Sequence, residues 1–171
     1  MVYKWMLTFF GFPLGGLISY LIVGSVMDVR SSALSGLIVG LVVGAAQWFV
    51  LRKAIPLSYW WILNSGVGVA LGLYLGTVII GTGIDSSELI LRGGITGFCL
   101  GMMQWFLLKQ HVRFSGVWII AIPIFWALGW FTTKEVGIDL SKGWAVFGAS
   151  GAIVFTILTY LVLRYIHRVK I

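Results

Sequence analysis

Six long apolar runs dominate the sequence, and short charged segments separate them. Each run is close to the length of about 20 residues that an α-helix needs to cross a bilayer core. Charged residues make up only 10% of the 171-residue chain, against about 25% in soluble domains. The sequence therefore predicts an all-α, polytopic membrane protein. The predicted spans are Trp5–Val26, Ala33–Leu51, Ser58–Ile80, Leu89–Leu108, Ser115–Thr133 and Trp144–Ile166.

An internal repeat of 57 residues organises these spans. Residues 40–52 read GLVVGAAQWFVLR, and residues 97–109 read GFCLGMMQWFLLK. The same shift places Asp28 on Asp85, and the chain length is three times 57. We predict one transmembrane domain, 1–171, built from three helical hairpins related by a pseudo-threefold axis along the membrane normal. The hairpins comprise residues 1–57, 58–114 and 115–171.

The third hairpin is the most diverged of the three. Its loop residue Asp139 matches Asp85 at a shift of 54 residues, and its last helix lacks the Gln-Trp-Phe sequence. Any site that the repeat builds is therefore expected to be asymmetric.

The distribution of Lys and Arg predicts the orientation, because these residues favour the cytoplasmic side. A cytoplasmic N-terminus places eight of the twelve basic residues inside. Both termini are then cytoplasmic, and a bacterial cytoplasmic membrane is the expected location. The first span is too long for a signal peptide and precedes no A-x-A-like site, so we expect an uncleaved helix. The predicted inner residues are Lys4, Arg52, Lys53, Lys109, Arg113, Arg164, Arg168 and Lys170; the outer ones are Arg30, Arg92, Lys134 and Lys142.

Glycines recur every four residues along three spans and so lie on one face of each helix. Such a face lets two helix backbones approach closely in lipid. It would pack the hairpins together or receive the helix of another protein, and the sequence is compatible with both. The stripes are Gly36, Gly40 and Gly44; Gly68, Gly72 and Gly76; and Gly93, Gly97 and Gly101.

Two prolines lie inside spans, Pro13 in the first and Pro123 in the fifth. Each removes a backbone donor and favours a kink. The kinks would serve either helix packing or the opening of a central cavity.

Three amides form the most distinctive polar set. Gln47, Gln104 and Asn64 are expected at similar depth, one to one and a half turns from the cytoplasmic ends of their helices. Primary amides in lipid need hydrogen-bond partners. The two glutamines would bond across hairpins and fix the register, or the three amides would line a polar vestibule open to the cytoplasm.

Few ionisable residues lie within the predicted spans. Arg92 lies one turn into the fourth span, where it would extend to the interface or pair with Glu88, and with Asp85 and Asp139 it makes up the predicted outer charge. No catalytic constellation, cofactor motif or metal-ligand cluster is present in the sequence, so an enzyme is not predicted. Tryptophans are expected to form belts at the two membrane interfaces. Those near the inner interface are Trp5, Trp48, Trp60, Trp61, Trp105 and Trp118.

These features favour a small accessory or scaffold subunit that contacts the helices of partner membrane proteins, or of further copies of itself, through its glycine-rich faces. The alternative is a compact transporter or a protein that binds lipid or a small solute in the vestibule. The expected partners are membrane lipids and membrane-protein helices rather than nucleic acid, because the net charge of +7 lies mainly at one rim of the membrane.

Overall fold

The computed structural model describes the backbone of residues 2–137 and 149–168, and the side chains of residues 4–137 and 150–165. Its regular secondary structure is all helical in these ranges, which confirms the predicted class. Asp139 and the start of the predicted sixth span lie outside the described residues. A 3₁₀ segment, Val2–Phe10, precedes α1 (Gly11–Val23), α2 (Val29–Leu51), α3 (Trp60–Ile80), α4 (Ser86–Leu108), α5 (Val117–Glu135) and α6 (Ala149–Arg168).

In the described part of the chain, four helices are long and apolar enough to cross a membrane, as expected for a membrane protein. They comprise Lys4–Val23, Val29–Leu51, Trp60–Ile80 and Val117–Glu135. The helix α4 is as long as α2, but Glu88, Arg92 and Gln104 lower its hydropathy. The described apolar part of α6, Ser150–Tyr165, is shorter.

Glycine and aspartate define the turns that follow α1 and α3. Gly24 and Gly81 end these helices with φ of 80° and 98°, a backbone conformation that side chains disfavour. Asp28 then caps α2, where its carboxylate accepts the Ser31 N–H at 2.7 Å. This hydrogen bond is the main reason that the pKa of Asp28 lies below its ordinary value. At the start of α4 the Asp85 N–H donates to the Glu88 carboxylate at 3.3 Å.

Short connections make the successive helices from α1 to α5 antiparallel, so the bundle has two chemically different ends. We call the end with turns 24–28 and 81–85 the acidic end, because it carries Asp28, Asp85 and Glu88. The basic end carries Lys4 and the connections 52–59 and 109–116, which contain no carboxylate side chain.

The helices form a closed circle in sequence order. Each helix packs against the next one, and the 3₁₀ segment with α1 returns to contact α6. Phe12 of α1, Trp126 of α5 and Phe155 of α6 meet inside the circle, with ring centroids 5.3–5.8 Å apart. The centre at this level is therefore filled by side chains.

The polar and apolar surfaces are distributed as expected for a protein in lipid. Large apolar side chains are exposed on every helix, among them Leu21, Phe49, Ile79, Phe98, Ile120 and Leu161. Polar residues instead lie inside, where Ser35, Thr96, Gln104 and Thr159 are 0% exposed. The outer surface therefore suits acyl chains, and the interior contains hydrogen-bonding groups.

All three glycine stripes face helices of this same chain. A Cβ at Gly40 would lie 2.5 Å from the Ser65 carbonyl oxygen of α3, and one at Gly68 would lie 2.9 Å from Leu100 Cα of α4. A Cβ at Gly97 would lie 2.6 Å from Pro123 Cα of α5. The other stripe glycines have close neighbours on the same helices: Gly36 and Gly44 on α3, Gly72 and Gly76 on α4, and Gly93 and Gly101 on α5.

The two prolines occupy different settings. Pro13 lies in the first turn of α1, directly after the 3₁₀ segment, where a missing N–H has the least effect on a helix. Pro123 lies within the continuous helix α5 and forms part of the close contact with Gly97.

We expect alanine at Gly40 or Gly97 to lower the stability of the fold in mild detergent by about 1–3 kcal/mol, because the added methyl group collides with the backbone of the next helix. Gly94 of α4 is the matched control, since a Cβ there would meet no atom within 4 Å. Thermal unfolding followed by loss of monodispersity measures the effect. Equal midpoints for Gly97→Ala and Gly94→Ala would contradict the packing described above.

Candidate functional site

The two glutamines of the repeated motif meet inside the circle. Gln104 Nε2 of α4 donates to Gln47 Oε1 of α2 at 3.0 Å, although α3 separates these helices in the circle. The two side chains are 0% and 1% exposed. Each glutamine follows a stripe glycine by three residues, Gly44 or Gly101, and so lies on the helix side that faces the neighbouring helices.

Two tryptophans and a serine complete the hydrogen bonds of this pair. Trp61 Nε1 donates to Gln47 Oε1 at 3.3 Å, and Trp118 Nε1 donates to Gln104 Oε1 at 2.9 Å. Gln104 Nε2 also donates to Ser65 Oγ at 2.8 Å. We call these five side chains the amide network.

The prediction of a tryptophan belt at the inner membrane interface was wrong for three tryptophans. Trp61 and Trp118 are 0% exposed and Trp5 is 1% exposed, so their rings lie inside the bundle and away from the lipid interface. The physical reason is the buried amide oxygens, which need N–H donors that a tryptophan can provide together with apolar bulk. The 57-residue spacing of Trp61 and Trp118, equal to that of the glutamines, was the signal available in the sequence.

A related contact joins the first and last helical segments. Trp5 Nε1 donates to Thr159 Oγ1 of α6 at 3.0 Å, and Thr159 is 0% exposed. Thr159 thus accepts an indole N–H, as both glutamines do. Neither residue was predicted to take part in a polar contact.

Gln47 Nε2 is the unsatisfied atom of the network. It is buried and has no hydrogen-bond partner, whereas Gln104 Nε2 has two acceptors. Exchanging the oxygen and nitrogen of the Gln47 amide would direct its N–H groups at the donors of Trp61 and Gln104. The arrangement found is therefore the one that satisfies more groups.

Asn64 does not join the glutamines. Its Nδ2 donates to the Met103 carbonyl oxygen of α4 at 3.0 Å, and the side chain is half-buried. The three predicted amides therefore separate into a central pair and a peripheral contact between α3 and α4. Both kinds of contact join different helices.

Arg92 ties the acidic-end turn between α3 and α4 to the helix body. Its guanidinium donates to the carbonyl oxygens of Gly81 and Gly83, the latter at 2.7 Å. Its stem lies close to Gly76, which has no side chain that would displace it. Arg92 therefore binds the carbonyl end of α3, where a cation also suits the helix dipole.

The chemistry of these groups is that of hydrogen bonding rather than of catalysis. Amides and indoles neither titrate nor act as nucleophiles in the physiological range. In residues 4–137 and 150–165, no group of three or more His, Cys, Asp or Glu is arranged to hold a metal ion. Cys99 is buried in α4 as a free thiol.

No protein family, curated protein or solved structure matches this chain. The assignment of a function therefore depends on the geometry alone.

Replacing Gln104 by leucine should be more damaging than replacing Gln47. Gln104→Leu leaves the Trp118 N–H and the Ser65 hydroxyl without their partners, whereas Gln47→Leu orphans the Trp61 N–H but also removes the unsatisfied Nε2. We expect a difference of about 1–2 kcal/mol in unfolding stability, the cost of an unpaired buried polar group. Gln110→Leu, at an exposed position, is the matched control. Equal stabilities of the two inner variants would contradict this hydrogen-bond assignment.

Arg92→Met should lower stability by about 1.5–3 kcal/mol, because the substitution keeps the apolar stem and removes the charged donors to two carbonyl groups. The stability of Arg92→Lys should lie between those of the wild type and Arg92→Met, because one ammonium group replaces the forked guanidinium. Arg30→Met, at an exposed site of the same end, serves as the control. Thermal unfolding in detergent measures all three, and a stability of Arg92→Met equal to that of the control would refute the role of Arg92.

Proposed function

We propose that all six helices span the membrane as three hairpins, related by a pseudo-threefold axis, with both termini on the cytoplasmic side. Support comes from pairs of residues 57 apart that make the same contacts. Gln47 and Gln104 each accept an indole N–H, and Gly24 and Gly81 each end a helix with positive φ.

The contact between Trp5 and Thr159 supports the third copy of the hairpin. In each case the tryptophan that begins one hairpin donates to the second helix of the preceding hairpin: Trp61 to Gln47, Trp118 to Gln104, and Trp5 to Thr159. In this arrangement Thr159 takes the place of a third glutamine. The predicted orientation in a bacterial cytoplasmic membrane then places the basic end in the cytoplasm.

Within that architecture, we propose that the protein is an accessory or scaffold subunit of a larger membrane assembly. The observation that carries the proposal is the closed interior. Gln47 and Gln104 bind one another at 1% and 0% exposure, and Phe12, Trp126 and Phe155 fill the centre. In this conformation neither glutamine is accessible to a transported solute, so the outer surface is left for function.

The outer side of α1 is the best candidate for a partner contact, because the stripe glycines face inward. A groove of about 660 Å³ runs along Phe10, Pro13, Leu14, Leu17, Tyr20 and Leu21. Residues 10, 14, 17 and 21 repeat at helical spacing over about 16 Å. We propose that an apolar transmembrane helix of another protein occupies the groove.

The test is affinity purification of the chain in mild detergent from its native membrane. A partner should co-purify in fixed stoichiometry with the wild type and be lost from Leu17→Trp, which fills the groove. Ile120→Trp is the matched control, because Ile120 is 67% exposed on α5, which does not line the groove. A monodisperse chain without any partner, or with a bound solute at Gln47 and Gln104, would reject the proposal and favour the transporter alternative. Self-association lost in Leu17→Trp would identify a second copy as the occupant, which also contradicts it.

A further inference from the structure

The glutamine motif has a second face that the amide network does not use. In both copies of the motif, the Phe and the basic residue that closes the helix are exposed, and the Trp beside them is half-buried. The Arg52 guanidinium lies 4.4 Å from the centroid of Trp48 and 4.8 Å from that of Phe49. Lys109 Nζ lies 4.7 Å and 4.8 Å from the centroids of Trp105 and Phe106.

These two groups, which we call the cation clamps, hold a positive charge in a fixed place. A cation over an aromatic face is attracted to the ring and loses part of its freedom of movement. Trp48 is fixed in turn, because its Nε1 donates to the Leu57 carbonyl oxygen at 3.0 Å. An anion that binds there meets an ordered cation and does not have to order a flexible side chain.

Within the described residues, every acidic side chain lies at the acidic end and therefore away from these cations. These residues are Asp28, Asp85, Glu88 and Glu135. The clamps lie at the opposite end, where α2 and α4 finish. Arg52 and Lys109 are exposed, and Lys53 and Arg113 follow them within four residues. The surface around the clamps therefore carries concentrated positive charge.

The aromatic rings of the clamps determine how deep in the bilayer the charges of Arg52 and Lys109 lie. Tryptophan and other amphipathic rings prefer the head-group level of a bilayer. Phe49 and Phe106 are 55% and 43% exposed, so they face the surrounding lipid. A cation between such rings lies where lipid phosphates lie, rather than in the free cytosol.

We propose that each cation clamp binds the phosphate head group of one anionic phospholipid, so that the protein carries two specific lipid sites at its basic end. The guanidinium or ammonium group donates to the phosphate oxygens, and the exposed phenylalanine packs against the upper acyl chain. This inference concerns lipid and does not depend on the partner helix proposed for α1.

The experiment is native mass spectrometry of the protein released from nanodiscs that contain phosphatidylglycerol and phosphatidylcholine with identical acyl chains. Preferential retention of up to two phosphatidylglycerol molecules is expected. Arg52→Gln and Lys109→Gln should each lower retention of one lipid, with about a fivefold loss of apparent affinity for each cation removed. The double variant should show no preference for the anionic lipid.

Arg30→Gln is the matched control, because it removes one exposed cation from the acidic end. Phe49→Leu and Phe106→Leu test the aromatic part, and each should weaken one site while the net charge is unchanged. Thermal unfolding identifies variants that no longer fold. The proposal is overturned if both lipids are retained equally, if the double variant keeps the preference, or if Arg30→Gln reduces it as much. Unchanged lipid retention together with loss of an acidic protein from the purified complex would assign the clamps to that protein instead.

Discussion

The close approach of helix backbones at glycine is the constraint on which the rest of the structure depends. In lipid, apolar side chains gain nothing by leaving the solvent, so helices associate through short-range packing and hydrogen bonds. A missing side chain at Gly40 lets α2 lie against α3, and Gly68 does the same for α3 against α4. Because α2 and α4 both approach the backbone of α3 closely, side chains of α2 and α4 can meet past it. The 3.0 Å contact between Gln104 and Gln47 follows from that proximity.

The amide network in turn specifies how the helices are set relative to one another. A one-residue shift of α2 or α4 would rotate a glutamine by about 100° and take it away from its tryptophan. Unpaired amides in a dry interior are costly, so such alternative packings are disfavoured. The glycine contacts bring the helix backbones together, and the hydrogen bonds of the amides favour one register. Arg92 has a comparable role at the acidic end, where it fixes the turn between α3 and α4.

The sequence was sufficient to predict the helical class, because the apolar runs that form the helices are local properties of the chain. The 57-residue shift also showed that Gln47 and Gln104 occupy matching positions of two helices. The sequence could not decide which groups the amides would meet, since that depends on the order of helices around the circle. Trp61 was therefore assigned to the interface, although its indole N–H lies against Gln47. The contact of Thr159 could not be predicted for another reason. A shift of 55 residues, rather than 57, matches TYLVLR at 159–164 to QWFLLK at 104–109, and the change of shift concealed the correspondence.

That correspondence also explains why the unsatisfied atom of the network is on Gln47. Within the proposed threefold arrangement, Gln104 donates to the residue at the matching position of the preceding hairpin, which is Gln47. By the same rule Gln47 would donate to position 159, where threonine has a shorter side chain and already accepts the Trp5 N–H. The Thr159 hydroxyl also donates to the Phe155 carbonyl oxygen of its own helix at 2.7 Å. Because the Thr159 hydroxyl has a hydrogen-bond acceptor within α6, it has less need of a partner on another helix. The loss of one glutamine therefore leaves Gln47 Nε2 without an acceptor and makes the interior asymmetric, while the indole contact that closes the circle is kept.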